Sequence, residues 1–517
     1  MTSARRSVLR RPRAGAALLL AACCLAAAGC AAPAAAAPSD SVRIVLPDEP
    51  PTLEPCDASL TQTGVVVRSN ITEPLAERDP TTGDLEPLLA TSWSQTAPDT
   101  WTFRIRDGVR FSDGTPFDAR AAAFSIERTV NTSIGCNVDG YVFGDREVRA
   151  EAPDPGTLVV TTGEPDPILP LRLSFVEMVP TSTDTEAKVR QPIGTGPYRV
   201  QRWDAGTRLV LERNPEYWGT PPAYAQADYQ WRSDASVRAA MVVNDEADIA
   251  TGLGPEDGAE DLGVSYPNNE TTALRIQATE PPLDDIRIRQ AVGLTVDRDG
   301  IISALFEGDG DPAAQLVPEG VIGHNDALAP VGFDVDRARA LVDAARADGV
   351  DTSVPIQLIA RTGQFPRIDQ VVQAIAYQLE QAGLTVRIRM MDTAEQTEYQ
   401  QRPFPPDTGP YLLMIMHGNQ AGDAAFSMDQ YLRSEGFQSS YGTPELDERI
   451  AAAEAASGQA RQDALASIFA DEPRLVDQYA YIAHMRGILA RSPSVDYTPD
   501  SATGDEMRLA EMKPRTP

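Results

Sequence analysis

Between Val354 and Met390 the apolar period changes twice, and the order of those changes restricts the fold. Val354 to Ala360 reads as a strand, Val371, Ile375 and Leu379 repeat at helical spacing, and Gly383 stops that helix. Val386, Ile388 and Met390 then alternate as a second strand. Strand, helix, strand is a βαβ unit. Such units build parallel sheets with right-handed crossovers, and ligands bind beyond the carboxyl ends of their strands. Asp334 can cap a preceding helix that carries Ala338, Leu341, Val342 and Ala345 and ends at Gly349, and Thr443-Pro444 opens a later one from Glu445 to about Ala456.

The first half is richer in hairpin signals. Trp101, Phe103 and Ile105 alternate with polar residues, Asp107-Gly108 turns the chain, and Val109 and Phe111 continue the period, which predicts a hairpin over 101–111. Asp118 can cap a helix running to about Val130. A second hairpin is predicted at Tyr198 to Arg213 around Asp204-Ala205-Gly206. With 517 residues the chain exceeds one ordinary core, so an α/β protein of several packed regions is expected.

The amino terminus carries an address. Arg5, Arg6, Arg10, Arg11 and Arg13 precede an uncharged stretch from Ala14 to Ala28, the arrangement of a secretion signal. Ala27-Ala28-Gly29-Cys30 closes it and resembles the lipobox of bacterial lipoproteins, with Cys30 as the lipidation site and residues 30–40 as a flexible tether. Leu20-Ala21-Ala22-Cys23 matches the usual lipobox better at its first position, but its apolar region is short and cleavage there leaves a sticky Leu-Ala run. Either choice places the protein outside the cytoplasm, anchored to the cell membrane at its outer face or in the periplasmic space. Loss of Cys23 and Cys24 with the signal, and acylation of Cys30, leave Cys56 and Cys136 as an even pair in an oxidising compartment. A disulfide between them is expected; two buried free thiols are the alternative.

Several chemistries lack their sequence signatures. The histidines at 324, 417 and 484 have no metalloprotease spacing, and no G-x-S-x-G elbow, C-x-x-C or P-loop lysine occurs. The acidic turn Asp309-Gly310-Asp311 lacks the twelfth-position glutamate of an EF-hand. No metal or cofactor is therefore expected. The formal net charge of -30 argues against nucleic acid as a partner. Trp93, Trp101, Tyr217 and Trp218 could line a ligand or fill a core.

Longer blocks carry a resemblance. LLATSW (Leu88 to Trp93), WTFRIRDGVRFSDGTPFDA (Trp101 to Ala119), PIGTGPYRVQRW (from Pro192) and ERNPEYW (from Glu212) resemble the diagnostic blocks of family 5 bacterial extracellular solute-binding proteins, the peptide/nickel-binding receptors of ABC importers. PPTLEP at Pro50 to Pro55, the segment Val237 to Ile249 and DDIRIRQAVGLTVDRDGI from Asp284 agree in order. The resemblance runs from about Ser41 to about Val495. It implies a type II periplasmic-binding-protein fold (cluster C): two lobes, an extra subdomain in lobe 1, and a hinge of two crossings. The corresponding boundaries are 1–29 for the signal peptide, 41–70, 190–273 and 487–511 for the lobe 1 core, 71–189 for the subdomain and 274–486 for lobe 2. The crossings are expected near Leu274 to Pro282 and near His484 to Arg491.

The same resemblance implies a monomeric binding protein without catalysis, which captures a peptide or peptide-like solute and hands it to a membrane permease. A non-peptide ligand such as an opine, glycoside or nickel complex keeps the same role; a structural or chaperone-like envelope protein, or an enzyme built on the same clamp, is the reading from a different class. In the family's peptide binders a carboxylate shortly after a Gly-Trp pair holds the peptide amino group. Here His417 replaces the tryptophan and Gln420 the carboxylate, within Met416-His417-Gly418-Asn419-Gln420-Ala421-Gly422-Asp423. Asn419 flanks the anchor position, Asp423 is a nearby acid that can serve a cation or cap a turn, and Arg361 falls near the arginine that holds a ligand carboxylate. A free α-amine therefore lacks its usual partner in this loop.

Overall fold

The computed structural model describes residues 40–515 except Leu60, Pro80, Thr81, Asp145, Gly258, Pro366, Gln420 and 500–505. The signal segment, Cys30 and Gln420 thus lie outside the described residues. One eleven-stranded sheet organises the chain. Its spatial order begins Val386–Met391, Ile356–Arg361, Tyr411–Gly418, then Gly263–Ile276 and Tyr479–Arg491 at the centre. It continues through Ile249–Leu253, Ser41–Leu46, Gln226–Trp231, Arg208–Arg213 and Tyr198–Asp204. The short strand Gly310–Pro312, within the acidic turn, pairs with Tyr479–Arg491 at its side.

The two long central strands are antiparallel to each other and pass from one packed region to the other. On one side Ile356–Arg361 lies parallel to both Val386–Met391 and Tyr411–Gly418, which is the expected βαβ unit with helix Ile368–Gln381 as its crossover. Alternate residues of this sheet feed separate cores. Leu274, Leu358, Leu412 and Met414 pack with helices Ile286–Thr295, Val335–Ala347 and Ile368–Gln381. Ala273, Ile359, Leu413 and Ile415 pack with helices Ala424–Tyr431, Pro444–Ala455 and Gly458–Leu475. A strand buried on both faces needs an apolar run rather than simple alternation, as YLLMIM supplies here.

On the other side, Ser41–Leu46 lies parallel to Ile249–Leu253 and Gln226–Trp231. The predicted Tyr198 to Arg213 hairpin extends this half, with Tyr198 opposite Arg213 and a register shift between Val200 and Arg202. A separate four-stranded sheet, ordered Ala90–Ala97, Thr100–Ile105, Thr157–Thr162, Val148–Asp154, packs against helix Ala119–Val130. Asp118 caps that helix, accepting from the amides of Arg120 and Ala121. Here the hairpin expected over 101–111 is corrected. The alternation of Trp101 to Ile105 is a strand, but its partners are 90–97 and 157–162, while Val109 and Phe111 are buried outside any strand. Period two fixes which face a residue occupies, not which distant strand pairs with it.

The crossing also falls earlier in the chain than Leu274 to Pro282. Leu274 and Ile276 already belong to the core of the second region, whereas Val264 and Tyr266 pack against the first. Between them the pairing shifts register at Pro267 to Thr271, opposite His484 to Arg486, with Asn269 in the left-handed region at φ 58°. Among the described residues no helix is long and apolar enough to cross a membrane.

Candidate functional site

Strand direction alone locates the site. Tyr411–Gly418 and Ile356–Arg361 run the same way as Tyr479–Arg491, toward the first region. Ser41–Leu46 and Ile249–Leu253 run against it, toward the second. The carboxyl ends of both parallel sets therefore face each other across the central strands, where open α/β sheets bind ligands. A cavity of about 330 Å³ lies at this meeting point. Leu46, Pro47, Asp48, Gly252 and Leu253 wall it from one region, Gln364, Phe365 and Met416 from the other, and Tyr266, Asn268, Glu270 and Met485 to Leu489 from the crossing strands.

Its polar groups are held in place. Gln364 accepts from the amide of Arg361 (3.2 Å) and donates to the carbonyl of Met414 (3.2 Å), so its amide is fixed at the wall. Arg486 donates to Ser265 Oγ at 2.9 Å. Glu506 forms ion pairs with Arg68 (3.0 Å) and Arg508 (3.1 Å). Glu270 is different: it accepts from Asn268 Nδ2 at 3.2 Å, and burial pushes its carboxyl up to about 7. The sequence reading missed Glu270. The available signal was one acid between Asn268-Asn269 and Thr271-Thr272, shortly ahead of Ala273, Leu274 and Ile276.

Of the residues singled out in the sequence, His417, Asn419 and Asp423 follow Met416 in the chain; His417 and Asn419 line the larger cavity described below, and none of the three lines this one. His417 is buried; its Nε2 lies 2.6 Å from Ser427 Oγ, its ring sits 4.5 Å from that of Tyr431, and burial lowers its pKa to about 3. It is neutral and packed. Asn419 donates to Ser427 Oγ (2.7 Å) and the Asp423 carbonyl (3.0 Å), and its side-chain oxygen accepts from the Gly422 amide (2.7 Å). Its own carbonyl accepts from Asn269 Nδ2 at 2.6 Å, tying the loop to the register break. Asp423 is fully buried and caps helix Ala424–Tyr431. Arg461 grips both its oxygens, at 2.7 and 2.9 Å, leaving the carboxylate already neutralised. Arg361 ends its strand half-buried, but the cavity wall at that point is Gln364 and Phe365.

A second cavity, about 1590 Å³, separates the subdomain from the second region; Cys136, Phe143 and Arg172 line one side and Phe426, Asp429 and Arg433 the other. Met416 borders both cavities. The loop after Asn419 bridges the gap: the Arg172 guanidinium lies 4.6 Å from the centre of the Phe426 ring, and Arg78 packs so closely on Gly422 that a Cβ there would clash at 2.2 Å. Trp93, Trp101 and Trp218 pack against the subdomain core, and none of them lines either cavity.

The sequence blocks behind the resemblance prove to be scaffold. Glu49 accepts from Trp203 Nε1 (2.9 Å) and the Gly206 amide (2.8 Å), locking the hairpin. Glu54 holds Arg128 through both terminal nitrogens (2.7 and 3.1 Å) and accepts from the amides of Cys56 and Val189. At Gly194 and Gly196 a Cβ would meet the backbone of Ile71 or Asn70 at 2.1 and 2.6 Å, so the GTG of PIGTGPY permits a close chain crossing. Cys56 and Cys136 are joined as a disulfide.

Comparison with known proteins agrees with this architecture. Residues 84–439 match the model of the bacterial extracellular solute-binding proteins, family 5 (middle region). The dipeptide-binding protein of Escherichia coli (strain K12) is 27% identical over 332 residues, 57% of this chain and 61% of that protein. The probable D,D-dipeptide-binding periplasmic protein DdpA of the same strain is 24% identical over 339 residues, 60% of this chain and 62% of that one. These alignments thus span about three fifths of each relative. Among solved structures, the ABC transporter substrate binding protein CtaP of Listeria monocytogenes superposes with a TM-score of 0.79 at 20% identity, covering 92% of this chain and 100% of that chain. NikA of Staphylococcus aureus, in complex with Ni(L-His)2, gives 0.74 at 19% identity with the same coverage. The fold is that of the type II periplasmic binding proteins, and the chain belongs to the family 5 bacterial extracellular solute-binding proteins.

Proposed function

We propose that this protein is the extracytoplasmic substrate-binding component of an ABC importer, anchored through a lipid on Cys30, and that it captures a short peptide or peptide-like solute in the 330 Å³ hinge cavity. The observation that carries this reading is the convergence of both parallel strand sets on one cavity walled by both lobes and both crossing strands. A solute there touches everything that moves. It shifts the open and closed populations by as much as it prefers the closed form, and the permease reads closure. The volume is at the low end of small-molecule sites, about 300–1,000 Å³, which favours a short solute over a long one. The names of the dipeptide-binding relatives support peptide chemistry. No bond is made or broken in this role.

Native mass spectrometry of the full-length protein, extracted from membranes, tests it. The expected spectrum shows a bound solute in the mass range of a di- or tripeptide and a lipid mass on Cys30. A protein that carries no solute, and whose small-angle scattering profile is unmoved by di- and tripeptides, contradicts the receptor reading.

A further inference from the structure

Most carboxylates shielded from water in this chain hold an arginine; Glu73 and Glu472 instead accept from Trp218 and the Gln478 amide, but neither lines a cavity described above. Glu54 grips Arg128, Asp423 grips Arg461, and Asp166 pairs with Arg172 at 2.8 Å. Within the hinge cavity Glu506 follows that pattern. Glu270 departs from it: its carboxylate has the Asn268 amide, and among the described residues no arginine, lysine or histidine pairs with it. Its place in the sheet is equally specific. It stands opposite Gly418, inside the register break between Pro267 and Thr271 of the crossing strand, at the carboxyl end of Tyr411–Gly418. Glu270 is half-buried at the cavity wall, and a carboxylate partly withdrawn from water and met by one neutral amide is under-compensated, so that a cationic group entering the cavity would supply a charge-assisted hydrogen bond.

We propose that Glu270 anchors a positively charged group, a primary ammonium, on the solute bound in the hinge cavity. This rests on the cavity being the solute site. It places the amine anchor on the crossing strand rather than in the loop 417–423, where Asp423 is closed by Arg461 and His417 is neutral. Because burial raises the Glu270 carboxyl to about 7, the free protein holds much of it protonated below neutral pH, and amine binding weakens as pH falls through that range. Other charged and titratable groups face it. Asp48, Glu506, Arg486, Tyr266 and Tyr497 share the cavity, while His417 and His484 on the paired strands are held neutral, at about 3 and about 4. A Glu270→Gln variant keeps all of these, so the difference from wild type isolates Glu270.

The test is calorimetric titration of wild type and Glu270→Gln with a pool of free-amine tripeptides and the same pool N-acetylated, at pH 8 and pH 5.5, with matched melting curves to confirm folding. Wild type should prefer the free-amine pool at least tenfold, and the variant should lose that preference. Wild type alone should weaken at pH 5.5. A variant that keeps the preference overturns the anchor and leaves the peptide reading standing. Binding of neither pool overturns the peptide reading, and putrescine, spermidine and arginine then decide the anchor. Loss of their binding in Glu270→Gln upholds it, and binding of none of them by wild type, or equal binding by both proteins, overturns it.

Discussion

Replacing Cys56 and Cys136 together by alanine is expected to lower the unfolding free energy by roughly 4 to 5 kcal/mol. The bond closes a loop of 80 residues that contains two of the four subdomain strands, Ala90–Ala97 and Thr100–Ile105, and helix Ala119–Val130, and cross-linking so long a loop removes many conformations from the unfolded chain. Its surroundings are already tied. Asp57 accepts from the Asn137 amide at 3.0 Å and from Lys188 Nζ at 2.8 Å, so the native geometry does not depend on the bond alone. The effect should therefore appear as lost stability with the fold retained. Urea unfolding of the oxidised wild type and the double variant measures it. A loss below about 1 kcal/mol would show that the reduced chain keeps the two segments together by other contacts.

Glu54→Ala should cost about 3 to 5 kcal/mol, the typical result of leaving one member of a buried ion pair alone. Arg128 is 2% exposed and would lose both bonds to a carboxylate, and the amides of Cys56 and Val189 would lose their acceptor. Because Arg128 stands on helix Ala119–Val130, the damage should spread into the subdomain. Hydrogen exchange should quicken through that helix more than through Ile368–Gln381 in the second lobe. Glu54 lines neither cavity, so solute affinity at temperatures where the variant is folded should change less than threefold. Equal stability of variant and wild type in guanidinium unfolding would refute the role of the Glu54–Arg128 pair in holding helix Ala119–Val130.

Local signals were readable where local physics decides. Asp118, Asp334 and Thr443 cap the helices their positions predict, each accepting from amides two or three residues on. The βαβ unit and the Tyr198 to Arg213 hairpin follow from period and turn chemistry. The strand 100–105 shows the boundary of such reading: its buried Phe103 was legible, its partner strands 90–97 and 157–162 were not, because pairing is settled by segments far away in sequence.

The site was harder for a related reason. His417, Asn419 and Asp423 attract notice as polar residues where the family's motif binds ligand. Here they hold their own loop, with Ser427, Gly422 and Arg461 as partners. Glu270 looks ordinary in the sequence, since its place at the cavity with the Asn268 amide as its partner is set in three dimensions. The blocks that identify the family are likewise interior clasps, Glu49 with Trp203 and Glu54 with Arg128, which is why they reveal the fold without revealing the solute.

Electron density for the solute in crystals of the protein purified with its bound ligand is the most direct test of where binding occurs. The account predicts density among Asp48, Glu270, Gln364 and Met416, touching both lobes, with a nitrogen of the solute within hydrogen-bond distance of the Glu270 carboxylate. Density confined to the larger cavity beside Asp429 and Arg433, with the hinge cavity holding water alone, would contradict it.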